Sequence, residues 1–272
     1  MAELSEKTFQ FLKKRAPIKF LATLGEDGYP NLVPVLSTIA WDKETLCFVR
    51  FMIWKTRRNL EERRMVAVSG LGLWQAVEVL GEFAGFEKSG ERLDFFNNQT
   101  IYRYNAYMGA GQVGVIKVVA EKAWYPASFW RNFQARMLGF TESRSDHQPE
   151  VMNAVVLEKF QRRLSTKYFS WLDQEGHPRL APAPGAFPIS PSRLGIFSLD
   201  QVFRGLEIGS PVAVSVLSSE PNAYQVKGRF AGKKDRYGIS HHLIELEKSF
   251  ACGPPRPGER IYPGAPENFE QA

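Results

Sequence analysis

The chain has 272 residues, 44% hydrophobic and 24% charged, with a formal net charge of +6. That is the composition of a globular protein with one large domain or two ordinary ones. No apolar run approaches the roughly 18 residues of a membrane helix, so no membrane partner is expected, and the surplus of cations is too mild for a nucleic-acid binder while suiting an anionic ligand.

In chain order, FQFLKKR (residues 9 to 15) reads as an amphipathic helix. IKFLATL is a short apolar strand, GEDGYPN a turn cluster, and LVPVLSTIAW a second strand, together a hairpin. ETLCFVRF is a third strand. KTRRNLEERRM has helical composition, with Asn59 and Leu60 inside a charged surround. VAVSGLG and QAVEVLGEFAGF read as strands, ERLDFFNNQTIYRY as a helix, and VGVIKVVAEKAWYP as the last strand of the first half. Short strands with glycine turns between them predict a barrel or sandwich of about six strands. Residues 127 to 150 carry Phe129, Trp130, Phe133 and Met137 at helical spacing and predict a linker helix.

The chain then repeats itself. FLATLGEDGYPNLVPV (20 to 35) matches YFSWLDQEGHPRLAPA (168 to 183) with Leu24/Leu172, Gly28/Gly176, Pro30/Pro178, Leu32/Leu180 and Pro34/Pro182 identical at an offset of 148. VAVS recurs at an offset of 146, and VLGEFAG pairs with VKGRFAG at 147. The second copy is therefore shorter between about residues 49 and 58. The predicted organisation is a barrel over 1–126, a helical linker over 127–150, and a second barrel with a proline-rich tail over 151–272.

The order FLATLGEDGYPNLVPV, a strand, KTRRNLEERRMVAVS and QAVEVLGEFAGF resembles the FMN-binding split-barrel family of pyridoxamine-phosphate oxidase and its relatives. The resemblance covers most of 1 to 125 and, more weakly, 150 to 250. It implies a mainly β fold with flanking helices: two tandem six-stranded Greek-key split barrels packed as a pseudo-dimer within one chain, with further homo-oligomers open. It also implies FMN in a cleft between the barrels.

The phosphate of FMN calls for cations, hydroxyls and backbone N–H groups near a helix N-terminus. WKTRRN offers Lys55, Thr56, Arg57 and Arg58 at a strand–helix junction, and Arg50 ends the preceding strand. The resemblance places the flavin ring along a strand Pro34, Val35, Leu36 and Ser37, and Gln75 near the ring or phosphate. In the second copy Lys55, Thr56 and Arg57 align with Gln201, Val202 and Phe203, and Asp200 replaces Trp54, while Arg204 keeps the charge of Arg58. One competent and one degenerate site are expected, with Lys227 of the second copy indifferent to the ligand. Trp54 and Trp74 are candidates to flank the ring.

No general base with a supporting partner stands out. His177 falls in a turn, His241 and His242 at a strand end with metal or haem ligation as the alternative, and Cys252 in the tail as a loop thiol with a reach into a cleft as the alternative. The reading is a cytoplasmic FMN-dependent oxidoreductase acting on an unknown small molecule. The alternatives are a flavin carrier or electron-transfer protein, or the same cleft holding deazaflavin or haem.

Overall fold

A computed structural model describes residues 2–15, 17–51, 53–99, 110–126, 149–162, 164–197, 200–203, 205–220, 222–236, 239–253 and 257–263. Helix α1 (Glu6–Lys13) precedes strands β1 (Ile18–Leu24), β2 (Pro30–Pro34), β3 (Ile39–Ala40) and β4 (Thr45–Val49). Then come α2 (Trp54–Arg63), β5 (Met65–Leu71), β6 (Gln75–Glu87), α3 (Glu91–Asn97) and β7 (Val113–Pro126). The second half runs α4 (Ala154–Gln161), β8 (Thr166–Leu172), β9 (Pro178–Pro182), β10 (Ala186–Ser190), β11 (Arg193–Ile196) and α5 (Asp200–Phe203). It ends with β12 (Pro211–Leu217), β13 (Ala223–Arg236), β14 (Ile239–Ala251) and β15 (Arg260–Tyr262). The linker stretch 127–148 lies outside the described residues.

The strands form two antiparallel sheets, ordered β2-β1-β5-β6-β7-β4-β3 and β10-β11-β14-β13-β12-β8-β9, with β15 added on β14. The first is the expected six strands plus a two-residue β3. The second has a five-residue β10 in the place of the two-residue β3 and adds β15, so it too exceeds six. Each sheet curls around its own core. In the first, Leu21, Val35, Leu46, Phe48, Val68, Val77 and Ile116 meet in one cluster drawn from β1 through β7.

The repeat identities have local causes. Gly28 (φ 74°) and Gly176 (φ 77°) hold the left-handed position of the same hairpin turn, a conformation glycine adopts without a Cβ clash. Pro30, Pro34, Pro178 and Pro182 bound β2 and β9, which are edge strands, where a missing N–H costs no ladder bond. The predicted strand LVPVLSTIAW is interrupted: β2 stops at Pro34, and Thr38 donates from its backbone (3.1 Å) and its hydroxyl (2.8 Å) to the Val35 carbonyl, closing a turn.

The two sheets pack through equivalent positions. Phe20 stacks on Tyr168 at 4.3 Å between centroids and 22°, two residues at one position of the repeat. Around them Ala22, Leu32, Ala67, Leu80, Leu180 and Ala213 form one buried cluster. β9 lies on β1, β5 and β6, and β2 lies on β8, β12 and β13, as a pseudo-two-fold requires. β1 thus buries both faces: Leu21 enters its own barrel core while Phe20 and Ala22 meet the other sheet. That is why IKFLATL carries apolar residues on both faces instead of alternating with polar ones.

One polar network crosses this contact. Glu78, fully buried, accepts from Arg179 Nε (2.7 Å) and Nη2 (2.8 Å), from the Leu180 amide (3.1 Å) and from the Tyr125 hydroxyl (2.9 Å). The Glu78 carboxylate holds the Arg179 guanidinium proton above its ordinary range, and burial followed by Glu78 raises the Tyr125 hydroxyl. Removing one partner strands the other charge in a dry contact. Glu78→Ala is therefore expected to lose about 3–5 kcal/mol of stability, read by urea unfolding. Glu78→Gln, whose single carbonyl oxygen can still accept from the Leu180 amide while its NH2 donates to the Tyr125 oxygen, should lose less, and a loss below about 1 kcal/mol for the alanine variant would show the network to be solvated.

Candidate functional site

A cavity of about 260 Å³ opens between the two halves, just under the usual range for small-molecule sites. Its first-half wall is Asn31, the turn Pro34 to Ser37, Phe51 and the start of α2. Its second-half wall is Leu217, Ala223, Phe250, Cys252 and Gly258. The lining is mostly apolar with a few polar groups at one end, the pattern of a ligand cleft.

Helix α2 supplies that polar end. Thr56, Asn59 and Leu60 are buried, a stripe at i, i+3 and i+4 that faces the barrel. Asn31 Nδ2 donates to Thr56 Oγ1 (3.0 Å) and Asn59 Nδ2 to Thr23 Oγ1 (3.0 Å), fixing the helix to β1 and β2. Since Thr56 Oγ1 accepts from Asn31, its own proton remains available to a ligand. The N-cap, Ile53, offers no side-chain acceptor, and the first turn carries no acidic residue. This helix end, with its positive dipole, opens on the cavity uncapped. The Lys55 ammonium makes no ion pair with a described residue and sits 4.3 Å from the centre of the Phe250 ring.

Of the ten residues singled out in sequence, Pro34, Val35, Leu36, Ser37, Lys55 and Thr56 line the cavity. Pro34 does so as the last residue of β2 and Val35 to Ser37 as the turn after it instead of the expected strand, and Ser37 Oγ there accepts from the Val49 amide (3.1 Å). Arg57 and Arg58 do not line it. Thr56 faces inward, so the next two residues rotate toward solvent, where Arg57 pairs with Glu61 (2.9 Å) and Arg58 with Glu26. Arg50 donates to Gln112 Oε1 (2.6 Å), with its guanidinium 5.8 Å from the Trp54 ring.

Gln75 is absent from the lining for a reason of symmetry. The cavity takes its β2 and α2 from one half and its β-hairpin wall from the other. Leu217 and Ala223 in that wall are the repeat partners of Leu71 and Ala76. Gln75, beside Ala76 at the start of β6, therefore belongs to the pseudo-two-fold mate of this cleft. Trp74, 80% exposed, is in that same hairpin, whereas Trp54 does line the cavity.

Two features escaped the sequence reading, and a third was its second alternative. Cys252, just past the end of β14, lines the wall, its proton held up to about 12 by burial. The tail is not a mere appendage: β15 pairs with Ser249 and Phe250 of β14 and brings Gly258 to the wall. Lys227, expected to be indifferent, is fully buried beside this site. Its ammonium lies 3.4 Å from both Asp27 carboxylate oxygens and 5.4 Å from the centre of the same Phe250 ring that Lys55 approaches. The only hint was a lysine in VKGRFAG where the first copy has the leucine of VLGEFAG; assigning it needed the chain path across the interface.

The mate position is filled. Arg179, repeat partner of Asn31, reaches Glu78, and Tyr125 stands on β7 opposite Ala76 as Cys252 stands by Ala223. Helix α5 is four residues long. Phe203, where Arg57 would be, is buried among Phe169 (4.9 Å), Phe230 (5.1 Å) and His242 (3.9 Å). His241 packs between Phe187 and Phe197, and neither histidine lines the cavity. Arg204, expected to keep the charge of Arg58, lies outside the described residues.

No protein-family model and no curated protein matches this chain. Several solved structures are similar to it in fold. HupZ of Group A Streptococcus is 19% identical, with 43% of this chain and 92% of that one covered and a TM-score of 0.34. An FMN-binding protein of Syntrophomonas wolfei is 19% identical over 45% of this chain and 85% of its own, with a TM-score of 0.37. An FAD-binding protein of Mesorhizobium loti is 18% identical over 47% and 98%, with a TM-score of 0.31.

Asp27 ties the site to stability. Burial works to raise its carboxyl, but Lys227, Lys248 (3.1 Å) and Lys55 outweigh it and hold the group down to about 2. A carboxylate lowered in the folded state contributes stability above its unfolded value and loses it as pH falls through the folded one. Acid sensitivity between about pH 4 and pH 2 is therefore expected, and Asp27→Asn should flatten that part of the profile. Denaturant unfolding at stepped pH checks it; equal slopes in both proteins would remove Asp27 from the acid response.

Proposed function

We propose that the cavity binds FMN and that the protein is an FMN-dependent oxidoreductase. The observation that carries this reading is the meeting, in one cleft, of an uncapped helix N-terminus bearing Lys55 and Thr56 with an apolar slot bounded by the Pro34–Ser37 turn, Leu217 and Phe250. The first suits a phosphate dianion, and the second a broad apolar ring that needs few polar partners. FMN would supply the electron-transfer chemistry. The chain would anchor the phosphate at Lys55 and Thr56, seat the ring against the turn, and exclude water with Phe250. The described lining residues include no histidine for a haem iron. Because the mate position holds Arg179 paired with Glu78 and has Phe203 where α2 carries Arg57, one FMN per chain is expected.

The tests are direct. Flavin released on denaturation should approach one per chain, and two would mean that the mate position also binds. In titrations of the apo protein, Lys55→Ala should weaken FMN by about 10- to 150-fold, the worth of one charge-assisted hydrogen bond, and riboflavin much less. Equal binding of both ligands by variant and wild type would displace the phosphate from α2. Turnover of a nicotinamide donor with an electron acceptor separates an oxidoreductase from a flavin carrier.

A further inference from the structure

Around the Phe250 ring stand three cations: Lys55 at 4.3 Å, Lys227 at 5.4 Å and Arg260 at 5.8 Å. One comes from α2 of the first half, the others from β13 and β15 of the second. Lys227 faces Asp27 from the β1–β2 turn, Lys55 from α2, Lys248 from β14 and the Tyr29 ring at 6.0 Å. Asp27 is shared between Lys227 and Lys248. The nearby Glu247 is committed to the Tyr29 hydroxyl and to Arg229 (3.0 Å). Lys55 on the cavity lining and Lys227 buried behind it thus share a single carboxylate, Asp27, with Lys248. A buried ammonium is costly unless an anion meets it; among the described residues Lys227 meets only Asp27, at 3.4 Å and shared with Lys248, and Leu80, at the equivalent place in the first copy, shows that an apolar residue packs there.

We infer that Lys227, contributed by the second half, is the positioning cation of the anion end of this cavity and holds its proton when a phosphate monoester sits against Lys55. The inference rests on the FMN reading. Without ligand, burial and then Lys55 push the Lys227 ammonium down to about 7, so it is partly neutral at physiological pH. A dianion beside it favours the charged form. Binding then takes up a proton, and affinity weakens as pH rises above about 7. Cys252, held up to about 12, does not titrate in this window.

The experiment is calorimetric titration of the apo protein with FMN and with riboflavin from about pH 7 to pH 9, above the second ionisation of a phosphate monoester at about 6, in buffers of different ionisation enthalpy. It compares wild type with Lys227→Met and Lys227→Leu, the latter copying the first half's leucine. Wild type should take up a fraction of a proton per FMN and none per riboflavin. Both variants should bind FMN about tenfold more weakly at the acid end, the equivalent of about one pH unit in the lysine's titration. The difference should vanish near the alkaline end, with riboflavin unchanged throughout. The methionine and leucine variants remove a buried charge and leave Asp27 paired with Lys248, so both should fold; wild-type riboflavin binding verifies that. If wild type binds FMN but the variants match it in affinity and pH profile, the inference about Lys227 is overturned alone. If wild type binds neither ligand, the FMN reading falls and takes the inference with it.

Discussion

Phe20 lying on Tyr168 is the contact on which the architecture turns. Two residues at one position of a repeat can stack on each other only beside a pseudo-two-fold axis, so this pair sets the relation of the two sheets. Everything nearby follows in duplicate. Leu32 and Leu180 enter the same cluster, as do Ala67 and Ala213. β2 is laid over the second sheet and β9 over the first, which gives each half an edge strand covered by its partner. Covering an edge that already carries two prolines removes the main route by which such a sheet would pair with another molecule.

An axis of this kind creates two clefts, and side chains decide which stays open. In one, Glu78 and Arg179 face each other; in the other, the equivalent places hold Gln225 and Asn31. The charged pair is bidentate and also takes the Tyr125 hydroxyl, so its geometry is rigid and the space is occupied. The amides find other partners: Gln225 donates to the Leu32 carbonyl, and Asn31 to Thr56. Both bonds draw their side chains onto the backbone or α2 and leave the slot above Phe250 clear. The same exchange accounts for α5. Without a cleft to serve, the four-residue helix turns Phe203 into the core, where three aromatic rings receive it.

Most of the fold was legible in the sequence because its signals are local. Glycine turns, prolines on edge strands and alternating apolar runs each report one element, and the repeat multiplies the evidence. The break at Val35 to Thr38 was missed because a hydroxyl bonding back to a carbonyl three residues earlier leaves no apolar pattern. The half of the site on β2 and α2 was legible because Lys55 and Thr56 adjoin a helix start. Arg57 and Arg58 shared that neighbourhood in sequence but not in space, since each helical step rotates the side chain by about 100°. The other half, Phe250, Cys252 and Lys227, sits some 170 to 200 residues downstream, and only the interface brings it there.

That second half of the site is where fusing two copies matters physically. In a homodimer with true two-fold symmetry, every substitution appears at both clefts, so a lysine in place of Leu80 would bury two ammonium groups, one at each. Joined in one chain, the copies are free to differ. The first keeps Leu80 in the shared apolar cluster. The second spends the same position on Lys227, held against Asp27 of the first. The tail adds Arg260 on a strand that has no counterpart in the first sheet. Charge near one cleft rises, while at its mate Glu78 and Arg179 neutralise each other. The asymmetry is thus not simple decay of the second copy. The second copy lacks the cations of α2 at one cleft and contributes Lys227 near the other, so the two copies differ in opposite senses at the two clefts.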